Sequence, residues 1–267
     1  MIESLLARAT DFQIAVSLFV IFAVAGILLS ALSYHLLGKR LEDEHRDLAE
    51  NIEKSIFAFS IFVLALTLTD VRSNFSKASD NVIAEAFTIR ELASDIDLDS
   101  DQERAQERAT LIAYAKAVVN EEWKALAAAE PTLSPVASAY LADLRGHLQG
   151  AIARYGRTAG VERARKAIGD LENQRQLRLQ EATASSPIAF WIFTLTLMLV
   201  GAVMTGRGAL EWRRTLVLFQ YFGALGLIVA LILILDRPFR GETSVSSKPI
   251  QMVIEQLESV GKVPEVH

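Results

Sequence analysis

Four stretches of this chain carry no Asp, Glu, Lys or Arg: residues 12–38, 55–69, 182–206 and 215–235. Three of them exceed the length of 18 apolar residues that soluble domains seldom show even once. The overall charged fraction of 22% conceals this, because it averages bare runs with polar sequence. The pattern excludes an ordinary globular enzyme. It predicts an all-α integral membrane protein with four transmembrane helices and a helical extramembrane insert between the second and third. The chain then divides into a first transmembrane hairpin over 1–71, with spans at about 14–37 and 55–70. A helical domain follows over 72–184. A second hairpin covers 185–236, with spans at about 187–206 and 215–235, and a turn and amphipathic helix cover 237–267.

At ~1.5 Å per residue the first run crosses a ~30 Å hydrocarbon core with ease. No basic segment precedes it beyond Arg8, which Glu3 and Asp11 offset, so it is expected to be a retained helix rather than a signal peptide. Gly26 with Ser30, and Gly226 with Ala230, offer small-residue faces for close helix packing. The second run is short. Only 15 residues separate Lys54 from Asp70, or about 22 Å of helix. Either Lys54 snorkels and the bilayer thins, or one end meets protein or water instead of lipid.

The insert shows 3.6-residue periodicity and almost no strand signal. Because no Pro or Gly interrupts 39–130, the second helix should continue past the membrane. Ser100 and Glu103 form a capping box, and the helix they open carries Leu111, Tyr114, Ala115, Val118, Val119 and Leu126 on one side. Pro131 and Pro135 break the pattern. A helix over about 136–149, interrupted by Gly146 and Gly150, and another over about 160–183 complete the insert. After the fourth span, Asp236, Arg237, Pro238 and Gly241 form a structural turn, with Asp236 and Arg237 expected to pair across it. From Pro249 the residues Ile250, Val253, Ile254, Leu257 and Val260 make a stripe that should pack on the insert or on a neighbouring subunit.

The absent cysteines exclude disulfides, thiolate metal sites and a cysteine nucleophile. A net charge of -5 gives no support for nucleic acid as a partner. The four histidines are scattered, and no nucleophile–base set is visible, so the expectation is a non-enzyme without metal or cofactor. Asp95, Asp97, Asp99 and Asp101 invite a calcium reading. The calcium-loop template, however, needs Gly and Glu where this chain has Ser100 and Gln106, and a solvated loop fits better. Glu121, Glu122 and Trp123 suit either a docked partner or plain packing beside Leu126.

The second helix has the pattern with most chemical content. Ser60, Thr67, Asn74 and Asn81 recur every seven residues, with Asp70 and Lys77 close to the same face. One reading is interhelical hydroxyl hydrogen bonds followed by a solvated face, which periodicity alone favours. The other is the lining of a water-filled path in an oligomer, with Phe57, Phe59 and Phe62 as an apolar constriction. The expected pore-lining set is Phe57, Ser60, Phe62, Thr67, Asp70 and Asn74.

Several separated segments carry a family resemblance. They are Glu44-His45-Arg46-Asp47, Asn74-Phe75-Ser76-Lys77-Ala78 with Val82-Ile83-Ala84-Glu85-Ala86, and Tyr114-Ala115-Lys116-Ala117-Val118-Val119 with Glu121-Glu122-Trp123. Leu235-Asp236-Arg237-Pro238-Phe239-Arg240-Gly241 with Val245-Ser246 completes the set. In order and spacing these resemble the bestrophin-like membrane proteins of bacteria. The resemblance implies kinship with pentameric ion channels whose second helix lines the pore and whose helical domain lies in the cytosol. It implies a homo-oligomer in the bacterial inner membrane, with the lipid bilayer and small inorganic ions as its partners. The alternative is a non-conducting membrane scaffold or sensor whose insert binds a partner. The side of the insert stays open. Seven basic residues in the short loops (Lys39, Arg40, Arg46, Lys54, Arg207, Arg213 and Arg214) outnumber five on the N-terminal segment and tail, and favour an insert outside the cytoplasm.

Overall fold

The computed structural model of the chain describes residues 10–37, 46–95, 101–184, 186–206 and 211–260. Its described residues form helices joined by short turns. In chain order these are α1 (Asp11–Leu37), α2 (Arg46–Asp95), α3 (Asp101–Ala117), a π-helical turn (Val118–Glu122), α4 (Trp123–Leu126) and α5 (Pro135–Tyr155). Then come α6 (Ala159–Thr183), α7 (Ile188–Thr205), α8 (Trp212–Leu235) and α9 (Lys248–Val260). Four helices are long and apolar enough to cross a membrane. The chain is an all-α integral membrane protein. Lys39, Arg40, Asp97, Asp99, the capping-box Ser100 and Arg207 lie outside the described residues.

The helices belong to two compact units, one drawn from Met1–Asn74, Ser185–Arg237 and Gly241–Thr243, the other from Phe75–Ala184, Pro238–Arg240 and Ser244–His267. Helix α2 contributes to both. It runs unbroken for 50 residues, as the lack of Pro and Gly predicts.

The first unit packs α1, α7, α8 and the N-terminal half of α2 around Leu64, Val71, Met198, Phe222, Val229 and Ile232. Lipid tails are as apolar as leucine, so close packing and hydroxyl bonds hold such spans together. Gly226 shows the closeness: a Cβ there would stand 2.5 Å from the Leu18 carbonyl oxygen. Ser30 lies 2.6 Å from Thr205, hydroxyl to hydroxyl, and also donates to the Gly26 carbonyl. Ser33 donates to the Val203 carbonyl at 2.8 Å.

The second unit has a conventional apolar core. It takes Val82, Ile89 and Leu92 from α2, Leu111 and Tyr114 from α3, Leu141, Leu144 and Leu148 from α5, and Ile168 and Leu171 from α6. The amphipathic tail joins this same core through Ile250, Val253, Ile254 and Leu257 of α9. Arg108 donates to the Leu257 carbonyl at 2.8 Å, and Lys116 pairs with Glu258 at 2.6 Å. Helix α5 runs straight through Gly146 and Gly150, where the sequence predicted an interruption. Each interior glycine costs about 1 kcal/mol against alanine. Burial of Leu141, Leu144 and Leu148 on one face offsets that at ~1.5–3 kcal/mol per side chain. Ser134 caps α5 by accepting from the Ala137 amide, and Thr158 caps α6 by accepting from Val161.

Candidate functional site

Within the first unit, residues 57–73 of α2 show two faces. One is packed against the other spans. Ser60 is 6% exposed, Leu64 and Val71 are buried, and the Phe57 ring lies 4.3 Å from that of Tyr221. The opposite face holds Phe59, Phe62, Leu66, Thr69 and Ser73, spaced alternately three and four apart, and all are exposed. Phe62 is 57% exposed and Leu66 55%. Along its length this open face passes from two phenylalanines to hydroxyls, with exposed Asp70 beside Thr69.

The seven-residue stripe singled out in the sequence runs along the other edge. The Ser60 hydroxyl donates to the Ile56 carbonyl and that of Thr67 to Val63, so their own helix satisfies both. Asn81, in the second unit, donates to the Gln174 carbonyl at 3.1 Å. Of the six residues expected on a path, Phe62, Asp70 and Asn74 are exposed. Thr67 and Phe57 are half-buried, and Ser60 is buried.

The post-span turn is held by specific partners. Both Asp236 carboxylate oxygens are engaged by Ser186, one by its amide at 3.0 Å and one by its hydroxyl at 2.8 Å. The partner of Asp236 is therefore Ser186, where Arg237 was expected. Gly241 has φ of +80°, and a Cβ there would meet Asp11 Oδ1 at 2.6 Å. That closeness lets Asp11 Oδ2 accept from both the amide and the hydroxyl of Thr243. In the second unit, Pro238 is buried and its carbonyl accepts from the Val245 amide at 2.7 Å. The Phe239 ring meets Trp123 edge-on at 5.7 Å.

The second unit also holds four charges in its interior. Glu85 of α2, Glu122 at the end of the π-helical turn, and Arg178 of α6 are fully buried, and Arg175 is 5% exposed. The Glu122 carboxylate takes Arg175 in a two-point pairing at 2.5 and 3.2 Å, and Arg178 at 2.6 Å. Arg178 Nε stands 3.2 Å from Glu85 Oε2, and Tyr114 donates to Glu85 Oε1 at 3.1 Å. Glu122 Oε2 also accepts the Ser134 amide, while the neighbouring Glu121 accepts the Ser134 hydroxyl. The Arg178 guanidinium lies 5.1 Å from the centre of the Trp123 ring. Trp123 in turn donates to the Val245 carbonyl at 3.1 Å.

Two carboxylates and two guanidinium groups balance, which is the condition under which buried charge persists. Burial pushes the Glu85 carboxyl above its ordinary value against the opposing pull of Arg178. Burial likewise drives the Tyr114 hydroxyl well above its usual range, so it keeps the proton it donates to Glu85. The quartet ties α2, the π-helical turn, the start of α5 and α6 together. It presents no nucleophile or proton-transfer pair, and its chemistry is that of a charged brace. Among the described residues, no group of three or more His, Asp or Glu is placed to hold a metal ion.

The quartet escaped the sequence reading, although a signal was there. Glu122 lies four residues after Val118 and four before Leu126, on the apolar stripe of its helix. Glu85 likewise falls seven after Ala78 and four before Ile89, both buried. Arg178 follows buried Leu171 by seven. A charge at a core position of a periodic stripe is the mark of a buried ion pair.

This architecture has known counterparts. A bacterial Bestrophin homologue from Klebsiella pneumoniae matches with a TM-score of 0.68 at 14% identity, covering 94% of this chain and 98% of that one. A single-substitution form of the Klebsiella pneumoniae homologue matches at a TM-score of 0.66 and 12% identity, over 92% of this chain and 99% of the other. A structure described as a membrane protein matches at 0.68 and 11%, with the same coverage. At such identities the likeness establishes the fold. No curated protein matches the chain. The model of the Bestrophin-like domain matches residues 19–250, and the chain therefore belongs to the bestrophin-like family.

Proposed function

We propose that this protein is a homo-oligomeric channel of the bacterial inner membrane, pentameric by the bestrophin layout, that passes small inorganic ions along the open face of α2. The observation that carries this reading is the two-faced character of residues 57–73. Their packed edge uses up Ser60, Leu64 and Val71, while the opposite face exposes Phe59, Phe62, Leu66, Thr69 and Ser73. A carboxylate following directly on an apolar stretch is costly against lipid, whereas a hydrated path accommodates it. In an oligomer the exposed phenylalanines would ring an apolar constriction, and Asp70 and Asn74 would stand at its polar end. Phe57, Ser60 and Thr67 then belong to the wall behind the lining.

The alternative, a non-conducting scaffold or sensor whose helical insert binds a partner, gains no support from the amphipathic tail. The apolar stripe of α9 is already spent on the protein's own core, with Ile250 fully buried. Recording from purified protein in planar bilayers tests the channel reading. The expected result is a single-channel conductance whose charge selectivity changes in Asp70→Lys. A protein that inserts as a stable oligomer yet carries no current contradicts it.

A further inference from the structure

An open groove of about 500 Å³ lies between α5 and α6 in the second unit. That volume falls within the ~300–1,000 Å³ typical of small-molecule sites. Arg175 forms part of its lining, although this side chain is otherwise buried in the charged quartet. Its Nε and Nη2 carry all of its hydrogen bonds, to Glu122, to the Ser134 carbonyl and to the Ser138 hydroxyl. Among the described residues, Nη1 has no protein partner. A guanidinium held rigid on one edge and free on the other is a preorganised recognition group.

We propose that this groove binds a small aliphatic carboxylate, with the free edge of Arg175 receiving the anionic head. The second arginine of the lining, Arg145, is paired with Glu172. The groove thus offers one free cationic edge, suited to a monoanion better than to a phosphate dianion. Apolar Leu133 and Leu141 line the groove beside it and suit a short hydrocarbon body. Asn173 and Gln176, both exposed and both on the lining, add amide groups able to orient the head. The site lies in the helical domain and is independent of whether the first unit conducts. Its occupancy would bear on Glu122, which shares the same guanidinium.

Thermal unfolding of the full-length protein in detergent tests this without reference to current. Sodium butyrate is the probe, the neutral isostere butyramide the first control, and sodium chloride at equal ionic strength the second. The expected result is a saturable rise in Tm of roughly 2–4 °C with butyrate and none with either control. A Cβ at Gly169, another lining residue, meets nothing within 4 Å. Gly169→Met therefore fills the groove while leaving Arg175 in place. This variant should keep the unliganded Tm within a few degrees and lose the butyrate response. No rise in the wild type, an equal rise with butyramide, or an undiminished rise in Gly169→Met overturns the proposal.

Discussion

The two units of this chain bury different kinds of polar group. Among the described residues of the membrane unit, the buried polar side chains are hydroxyls. Ser30, Ser60 and Thr205 are almost wholly enclosed, and each lies within hydrogen-bond reach of a carbonyl of its own helix, with one hydroxyl of the Ser30–Thr205 pair donating to the other. In the helical domain the buried polar side chains include Glu85, Glu122, Arg175 and Arg178, and these bond mainly across helices. The difference follows from the solvent each unit faces. A helix in lipid has water nowhere in reach, so a hydroxyl that can fall back on its own backbone is the safe choice. A domain in water can bury charges if every one finds its complement, and it gains a specific register in return. The membrane unit is therefore held by fit, and the domain by fit plus electrostatics.

The sharpest way to break this contrast is to remove one member of the quartet. Glu122→Ala strands two buried guanidinium groups and should cost the domain ~3–5 kcal/mol, read from denaturant unfolding followed by Trp123 fluorescence. A loss below 1 kcal/mol would mean that the charges are not the brace described. The matching test of fit in the membrane unit is Gly226→Leu. Its side chain has to displace the Leu18 backbone, and ~1–3 kcal/mol or more should be lost, visible as a lower Tm in detergent.

Acidity separates the units next. Glu85 has its native pKa raised by burial, so the folded state holds its proton more tightly than the unfolded state, whose value is about 4.3. The stability this group contributes is fully present below the unfolded value and is lost as pH rises through the higher native one. Glu85→Gln should flatten that slope of domain stability against pH. An unchanged slope would assign it to another group, such as Glu107 or Glu181, which burial also raises. The smallest effect belongs to Ser30→Ala. Losing its contact with Thr205 should cost ~0.6 kcal/mol, with no dependence on pH.

How much of this was written in the sequence differs between the units for the same physical reason. Spans in lipid announce themselves by missing charge, and the limits at Lys54 and Asp70 mark α2 as unusual in the sequence itself. Its 50-residue continuity followed from the absence of Pro and Gly. The face of α2 did not follow. The Ser60 and Thr67 stripe suits a wet path or hydroxyl bonding within the bundle alike, and in the structure Ser60 is buried on its own helix's carbonyl while Phe62 is exposed. The quartet was harder still. Glu122 and Arg178 are 56 residues apart; their places on apolar stripes mark each as buried, but nothing local names the partner. Asp236 taught the same lesson on a small scale, with its partner at Ser186, 50 residues away, instead of next door.

The central claim is that the open face of α2 borders an ion path. The chain has no native cysteine, so an introduced one is unique. Phe62→Cys on the open face, and Ile61→Cys, also exposed but turned to one side, are to be recorded in planar bilayers before and after a positively charged thiol reagent. The account predicts that modification at position 62 changes the conductance abruptly while modification at 61 leaves it unaltered. Equal responses at the two positions, or none at 62, would contradict it.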